Sequence, residues 1–228
     1  MRVYSPAERM PIVVLISGGG TNLQALIDSA NNESALFQIA CVISNRPNVK
    51  GLQRAELAGI ATLCIDHRDF AEREAFDEEL IKAIDNYAPE LVVLAGFMRI
   101  LTTEFVQHYY GRMVNIHPSL LPKYRGLHTH QRALDAGDSK HGVSIHFVTE
   151  ELDGGPIIIQ SVVPVVENDT ADTLAARVLK QEHLIYPLVV GWYAKNKLRC
   201  QQGQVFFDEK TLEHPLQYQE LTDEQKSM

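Results

Sequence analysis

Pro11-Ile12-Val13-Val14-Leu15-Ile16-Ser17-Gly18-Gly19-Gly20-Thr21-Asn22-Leu23-Gln24-Ala25-Leu26-Ile27 is the stretch that decides the fold. Its first part, Ile12 to Ile16, is short, β-branched and continuously apolar, as a parallel strand covered on both faces requires. Three glycines break the run. Thr21 or Asn22 can then cap a helix that buries Leu23, Leu26 and Ile27. Glycines allow a backbone to approach an anion closely, and a helix N-terminus supplies amide donors and a favourable dipole. Many strand-to-helix turns nevertheless carry glycine for steric reasons alone. The loop also lacks the Lys-Ser/Thr pair of a P-loop. The dinucleotide fingerprint fails as well, because Leu23 occupies its third glycine position and no acidic ribose ligand follows Asn45. A phosphate monoester suits this loop better than a dinucleotide.

The same rhythm continues along the chain. Further strands are predicted at Ile39 to Ser44, Ala61 to Ile65, Leu91 to Ala95 and Met113 to Ile116. Phe76, Leu80, Ile84 and Tyr87 recur at helical spacing between two of them. Strands alternating with helices indicate a doubly wound α/β fold with a mainly parallel central sheet, Rossmann-like in its N-terminal half. Beyond residue 140 the pattern changes. Val143 to Val148 and Ile157 to Val166 read as added strands, separated by Asp153-Gly154-Gly155-Pro156. A long helix then places Leu174, Val178, Ile185, Val189 and Trp192 on one side. The first nine residues and everything after about Cys200 read as peripheral, polar extensions.

Bulk properties exclude several classes. With 228 residues, 45% hydrophobic and 22% charged, the chain can bury a sizeable core. A net charge of -8 opposes nonspecific nucleic-acid binding but not a local phosphate pocket. Cys41, Cys64 and Cys200 lie far apart, so neither a disulfide framework nor a zinc knuckle is suggested. No run approaches the ~20 apolar residues of a membrane helix. A cytoplasmic protein without a membrane partner is the default expectation, and monomer and homodimer are both open.

Asn115-Ile116-His117-Pro118-Ser119-Leu120-Leu121-Pro122 is the most informative polar segment. Residues two apart on a strand share a side, so Asn115 and His117 would face one cleft. Such a pair could stabilise an oxyanion and exchange a proton with it. A satisfied strand-end Asn beside a surface His is the bland alternative. The octapeptide, however, resembles the signature of the folate-dependent formyltransferases, which take a formyl group from 10-formyltetrahydrofolate. Ile16 to Leu26, Leu94 to Leu101, Lys123 to His130, Val143 to Phe147, Glu151 to Pro156 and Gln181-Glu182-His183 extend the likeness over roughly residues 11 to 198. These segments look most like the branch that formylates glycinamide ribonucleotide in purine (IMP) biosynthesis.

The resemblance implies a division of the chain and a set of roles. Residues 1–10 would be an N-terminal extension, 11–198 the formyltransferase domain and 199–228 a C-terminal tail. Within the domain, about 11–110 would form a nucleotide-binding half and about 111–198 a folate and catalytic half. Asn115, His117 and Asp153 would be catalytic: the amide hydrogen-bonding an oxyanion, the imidazole acting as acid, and the carboxylate pairing with it and relaying the proton. No Ser or Cys nucleophile is needed, and no GxSxG elbow is present. Gly20, Thr21, Asn22 and Glu182 would bind glycinamide ribonucleotide. Arg73, Met98, Arg99, Ile100, Leu101, Asn115, Thr149, Glu150, Glu151, Leu152 and Asp153 would contact the donor.

Some of these residues also have plain structural readings. Asp153 suits a turn, Glu182 reads as a solvated helix residue, and Met98 to Leu101 reads as core and loop. His146 alternates with Ser144 and could support the site, but stays outside the catalytic set. Gly19 stands where some relatives carry Asn, which leaves the phosphate contacts open in detail. His128, His130 and His117 invite a zinc reading, yet no HExxH or Cys/His pattern accompanies them, so no metal is expected. A tRNA-formylating relative would carry a further C-terminal domain, and a hydrolase relative an N-terminal one. A non-catalytic binding module would have no need of Asn115, His117 and Asp153.

Overall fold

The computed structural model describes residues 4–226, so residues 1–3 of the expected extension and 227–228 of the expected tail lie outside the description. In chain order the elements are β1 (Met10–Ile16), α1 (Thr21–Ala30), β2 (Phe37–Ser44), α2 (Lys50–Leu57), β3 (Thr62–Cys64), α3 (Arg73–Asp85) and β4 (Leu91–Leu94). They continue with α4 (Thr103–His108), β5 (Met113–His117), α5 (Thr129–Asp135), β6 (Lys140–Phe147), β7 (Ile157–Pro164) and α6 (Ala171–Ala194). Finally come β8 (Leu198–Gln201), β9 (Gln204–Phe207), β10 (Lys210–Thr211), β11 (Leu216–Gln217) and α7 (Asp223–Lys226).

The central sheet runs β3-β2-β1-β4-β5-β6-β7-β11. Strands β1 to β5 pair in parallel, β6 is antiparallel to both neighbours, and β11 is parallel to β7. Strand order reverses at β1, from which the chain winds first toward β3 and then, through β4, toward β5. In such sheets a crevice opens at the carboxyl ends of the strands beside that reversal. The glycine loop, the segment after β4 and the segment after His117 all leave the sheet at that end. The segment after β6 starts instead from the amino end of β5, because β6 runs antiparallel to it.

Alternation along β1 explains the layers. Ile12, Val14 and Ile16 join the core formed with Leu23, Leu26 and Ile27 of α1 and with α6, while Val13 and Leu15 pack with Phe76 and Leu80 of α3. A strand buried on both faces needs a continuous apolar run, and this one has it. Helix α6 buries Leu174, Val178, Ile185, Val189 and Trp192, as its periodicity predicts. Its start carries a reciprocal cap between Thr170 and Thr173. The fully buried Tyr186 donates to the Leu94 carbonyl at 2.7 Å, tying α6 to the carboxyl end of β4.

Two expectations need correction. The cap of α1 is neither Thr21 nor Asn22 but Gly20, in the left-handed region at φ 69 and ψ 34. A Cβ there would lie 2.6 Å from the Gly51 Cα, so backbone freedom and close α1–α2 packing both select glycine. The segment after Cys200 is also no mere polar extension. Strands β8, β9 and β10 form a second, antiparallel sheet, with Val205, Phe207 and Leu221 buried. Trp192 stacks edge-on against Phe207 at 4.8 Å and donates its indole N–H to the Gln225 carbonyl at 2.9 Å. Polar residues alternate with these few apolar ones, which hides the packing from a composition-based reading. At the other terminus Tyr4 is buried, and Arg9 Nη1 donates to the Ala30 carbonyl at 2.7 Å.

Candidate active site

The glycine loop joins β1 to α1 under the influence of α2. The Gly51 amide donates to the Gly18 carbonyl at 3.0 Å, and Arg54 Nε donates to the Gly19 carbonyl at 2.9 Å. The first amides of α1 have no carbonyl a turn earlier in the helix, as at any helix start, and the dipole favours an anion there. Asn22 is buried and donates its Nδ2 to Glu182 Oε2 at 2.6 Å. The structure thus joins two residues 160 positions apart that the sequence reading grouped together. Glu182 is not a solvated helix residue. It is 8% exposed, and burial pushes its carboxyl above the usual range, with the Asn22 bond opposing. Asn22 Oδ1 is buried with no hydrogen-bond partner among the described residues. A buried acceptor without a donor costs roughly 1–3 kcal/mol, so this corner suits a ligand bearing N–H or O–H groups.

Asn115 and His117 lie two apart on β5, as the strand reading requires. Antiparallel pairing sets Asn115 opposite His146 and His117 opposite Ser144. Asp153 enters from the turn after β6, with φ 49 in the left-handed region that Asp tolerates better than most residues. Its Oδ2 accepts from the Gly126 amide at 2.8 Å and lies 3.4 Å from His117 Nδ1, both side chains being 7% exposed. His117 Nε2 is 2.9 Å from the Tyr124 carbonyl. A carbonyl can only accept, so Nε2 carries a proton and Nδ1 faces the carboxylate.

His146 completes the cluster, and the sequence reading left it outside. Its Nδ1 lies 2.9 Å from the Phe147 carbonyl and must donate, so its Nε2 is free to accept from Asn115 Nδ2 at 3.2 Å. Burial, the largest influence, pushes His146 below its ordinary pKa and keeps it neutral for that purpose. The second Asn115 N–H meets Asp153 Oδ1 at a loose 3.5 Å. The Tyr124 carbonyl and the Gly126 amide were also missed, because main-chain groups leave no trace in residue type. Ser144 holds the loop that supplies them: its hydroxyl donates to the Ser119 carbonyl at 2.7 Å and accepts from the Leu121 amide at 3.0 Å.

A cavity of about 100 Å³ adjoins the cluster. Leu94, Phe97, Ile100, Leu101, Val106, Val148 and Leu152 give it apolar walls, and Arg99, Asn115, His146, Thr149, Glu150, Glu151 and Asp153 give it polar edges. Small-molecule sites combine apolar walls with a few placed polar groups in this way. Of the expected donor contacts, Met98 and Arg73 fall outside the lining. Met98 is 59% exposed, and Arg73 opens α3 with Nη2 3.7 Å from Glu74. An ion pair between Arg125 and Glu151 links the two loops that flank Asp153.

His130 and His141 meet at 3.1 Å behind the loop that carries Tyr124. Among the described residues, no group of three or more His, Cys, Asp or Glu side chains is placed to hold a metal ion. Burial, with a smaller contribution from His130, pushes His141 down to about 4 from an ordinary 6.5. The unfolded chain therefore binds a proton below 6.5 that the folded chain refuses until about 4. Stability from neutral His141 is complete above 6.5 and falls as pH drops through that window, by on the order of 3 kcal/mol in all. Urea unfolding of wild type and His141→Gln at pH 7.5 and 5 checks this. The variant should show the shallower loss, and equal losses would refute the assignment.

Comparison with known proteins places this geometry in context. A family model described as formyl transferase matches residues 10–190. The phosphoribosylglycinamide formyltransferase of Escherichia coli K12 is 55% identical over 203 residues, covering 89% of this chain and 96% of that protein. Its counterpart in Haemophilus influenzae is 45% identical, covering 88% and 95% respectively. A solved phosphoribosylglycinamide formyltransferase structure from Coxiella burnetii superimposes with a TM-score of 0.89 at 51% identity, covering 92% of this chain and all of that one. Among the described residues, no helix is long and apolar enough to cross a membrane.

Proposed function

This chain belongs to the formyl transferase family, and on that premise we propose that it moves the formyl group of 10-formyltetrahydrofolate to the amine of N1-(5-phospho-D-ribosyl)glycinamide. The products are formylglycinamide ribonucleotide and tetrahydrofolate, a step of purine biosynthesis. One observation carries the reading: Asn115, His117 and Asp153 converge beside a cavity with apolar walls and polar edges. The acceptor corner built from the glycine loop, Asn22 and Glu182 supports it.

When bound, the donor supplies an electrophilic formyl carbon and a nitrogen leaving group. We assign Asn115 the N–H that meets negative charge developing on the formyl oxygen. Its hold on His146 fixes the amide, and its loose bond to Asp153 can be exchanged for that oxygen. His117 acts as acid and electrostatic stabiliser, which requires one ring nitrogen to exchange Tyr124 O or Asp153 for the reacting group. Asp153 accepts from the imidazole and relays the proton between attacking amine and leaving nitrogen. The folate half holds the donor through Arg99 to Leu101 and Thr149 to Asp153, with Met98 and Arg73 at its margin. The nucleotide half holds phosphate at Gly20, Thr21 and Asn22, and the amine or ribose side at Glu182.

The decisive assay offers 10-formyltetrahydrofolate with either glycinamide ribonucleotide or charged initiator tRNA. Formylation of tRNA alone would overturn the acceptor while sparing the chemistry. Glu182→Ala should lower kcat/KM for glycinamide ribonucleotide by roughly 5- to 150-fold, the equivalent of losing about 1–3 kcal/mol. Affinity for tetrahydrofolate should stay nearly unchanged in calorimetry. Glu182→Gln, which keeps the shape and the acceptor toward Asn22, separates charge from packing.

A further inference from the structure

The segment from Phe97 to Thr102 belongs to neither helix nor strand. Beyond β4, the Ala95 amide still pairs with the Leu15 carbonyl, and Gly96 then turns the chain at φ 76. Unsupported coil at this point would be a poor wall for any ring, because its backbone would have to be ordered by the ligand itself.

Two buried side chains hold its ends. The Met98 amide donates to Ser17 Oγ at 2.7 Å, and that hydroxyl donates in turn to Asn45 Oδ1 at 2.6 Å. Ser17 follows β1 and Asn45 follows β2, so one hydroxyl joins the ends of two central strands to the segment. Four residues on, the Thr102 amide donates to Asp77 Oδ2 at 2.6 Å. Asp77 projects from α3 and is 2% exposed. Neither Ser17 nor Asp77 lines the cavity, whereas Arg99, Ile100 and Leu101 between the two anchors do.

We propose that Ser17 and Asp77 are positioning residues that suspend Met98 to Thr102 in the shape that receives the donor's ring. The inference rests on the assignment of that cavity to the folate donor. A hydrogen bond to a buried carboxylate or hydroxyl suits the role better than a surface contact. Its loss leaves an amide unsatisfied in the interior and lets the strand end drift. Asp77 also faces the charges of Arg73 and Arg99, so hydrogen bonding and charge need separate variants.

The test uses Ser17→Ala, Asp77→Leu and Asp77→Asn, the last keeping an acceptor for the Thr102 amide. Two readouts are taken: amide hydrogen exchange of ligand-free protein, and binding of tetrahydrofolate with steady-state kinetics. Exchange should speed up at Met98 in Ser17→Ala and at Thr102 in Asp77→Leu. Tetrahydrofolate Kd and donor KM should rise on the order of 10-fold in both. Turnover at saturation should stay within about 2-fold, the KM for glycinamide ribonucleotide should not move, and Asp77→Asn should recover most of the affinity. Faster exchange with unchanged Kd and KM would overturn the inference, as would unchanged exchange. If Asp77→Leu does not fold, Ser17→Ala and Asp77→Asn still decide. A wild-type protein that fails to bind tetrahydrofolate refutes the folate assignment itself, a result distinct from wild type and variants binding it equally well.

Discussion

His117→Ala lowers turnover by at least ~10²-fold while the protein stays folded, and Asn115→Ala and Asp153→Ala do the same. The expectation follows from what each group touches. Asn115 is the amide whose N–H can be redirected, because its bond to Asp153 is already at 3.5 Å. His117 is held from both sides, by the Tyr124 carbonyl and by Asp153, so truncation removes an imidazole whose orientation is fixed by both. Asp153 gathers the Gly126 amide and His117 on a single oxygen. These side chains belong to neither main hydrophobic cluster, so circular dichroism should register little change. Urea unfolding of Asp153→Ala should show a loss of roughly 1–3 kcal/mol from the Gly126 amide left without its acceptor. Near-wild-type turnover in a folded His117→Ala protein would remove the assignment.

Gly155→Ala should be about as damaging although it touches no substrate. A Cβ at Gly155 would overlap the carbonyl oxygen of Phe147, which is backbone and cannot step aside. The Phe147 amide meanwhile donates to the Pro156 carbonyl at 3.1 Å, so β6 and the start of β7 are clamped together there. Relief must come from displacing the turn that presents Asp153 two residues earlier. Overpacking of this kind costs roughly 1–3 kcal/mol. A shift of about 1 Å in a catalytic group costs on the order of 10²-fold in rate. Gly154→Ala is the contrast: its Cβ would meet the side chain of the exposed Glu151, which can move at the expense of its ion pair with Arg125, so the loss should be smaller. Equal activity in the two variants would show that the backbone of the turn does not set the position of Asp153.

Legibility in the sequence followed the range of the interactions involved. The β1–glycine–α1 unit and the buried face of α6 rest on periodicity and were readable directly. Asn115 and His117 share a side because they are two apart on one strand, which is again a local fact. His146 escaped for the opposite reason: nothing local says that β6 pairs antiparallel with β5 in the register that sets it against Asn115. The cap of α1 was misplaced because Gly20 answers to Gly51, a contact 31 positions away that no local capping preference encodes. Helical periodicity alone gives Glu182 a solvated reading, and only the resemblance grouped it with Asn22, its partner across 160 positions. Main-chain groups such as the Tyr124 carbonyl are invisible to any reading based on residue type.

The two-residue strand β11 carries a consequence for the order in which the molecule is completed. Leu216 and Gln217 pair with Ile159 and Gln160 at the outer edge of the sheet. Gln219 adds bonds to Ser161 Oγ at 2.9 Å and to the Val162 carbonyl at 3.0 Å. A nascent chain that has not yet released residue 216 from the ribosome therefore displays β7 as an open edge. Its amides and carbonyls are then available to any neighbouring strand. The residues that line the cavity, the last of them Asp153, and Glu182 beside Asn22 all precede residue 216 in the chain. Covering this edge of the sheet thus falls to residues 216–219, the last to emerge of those that pair with it.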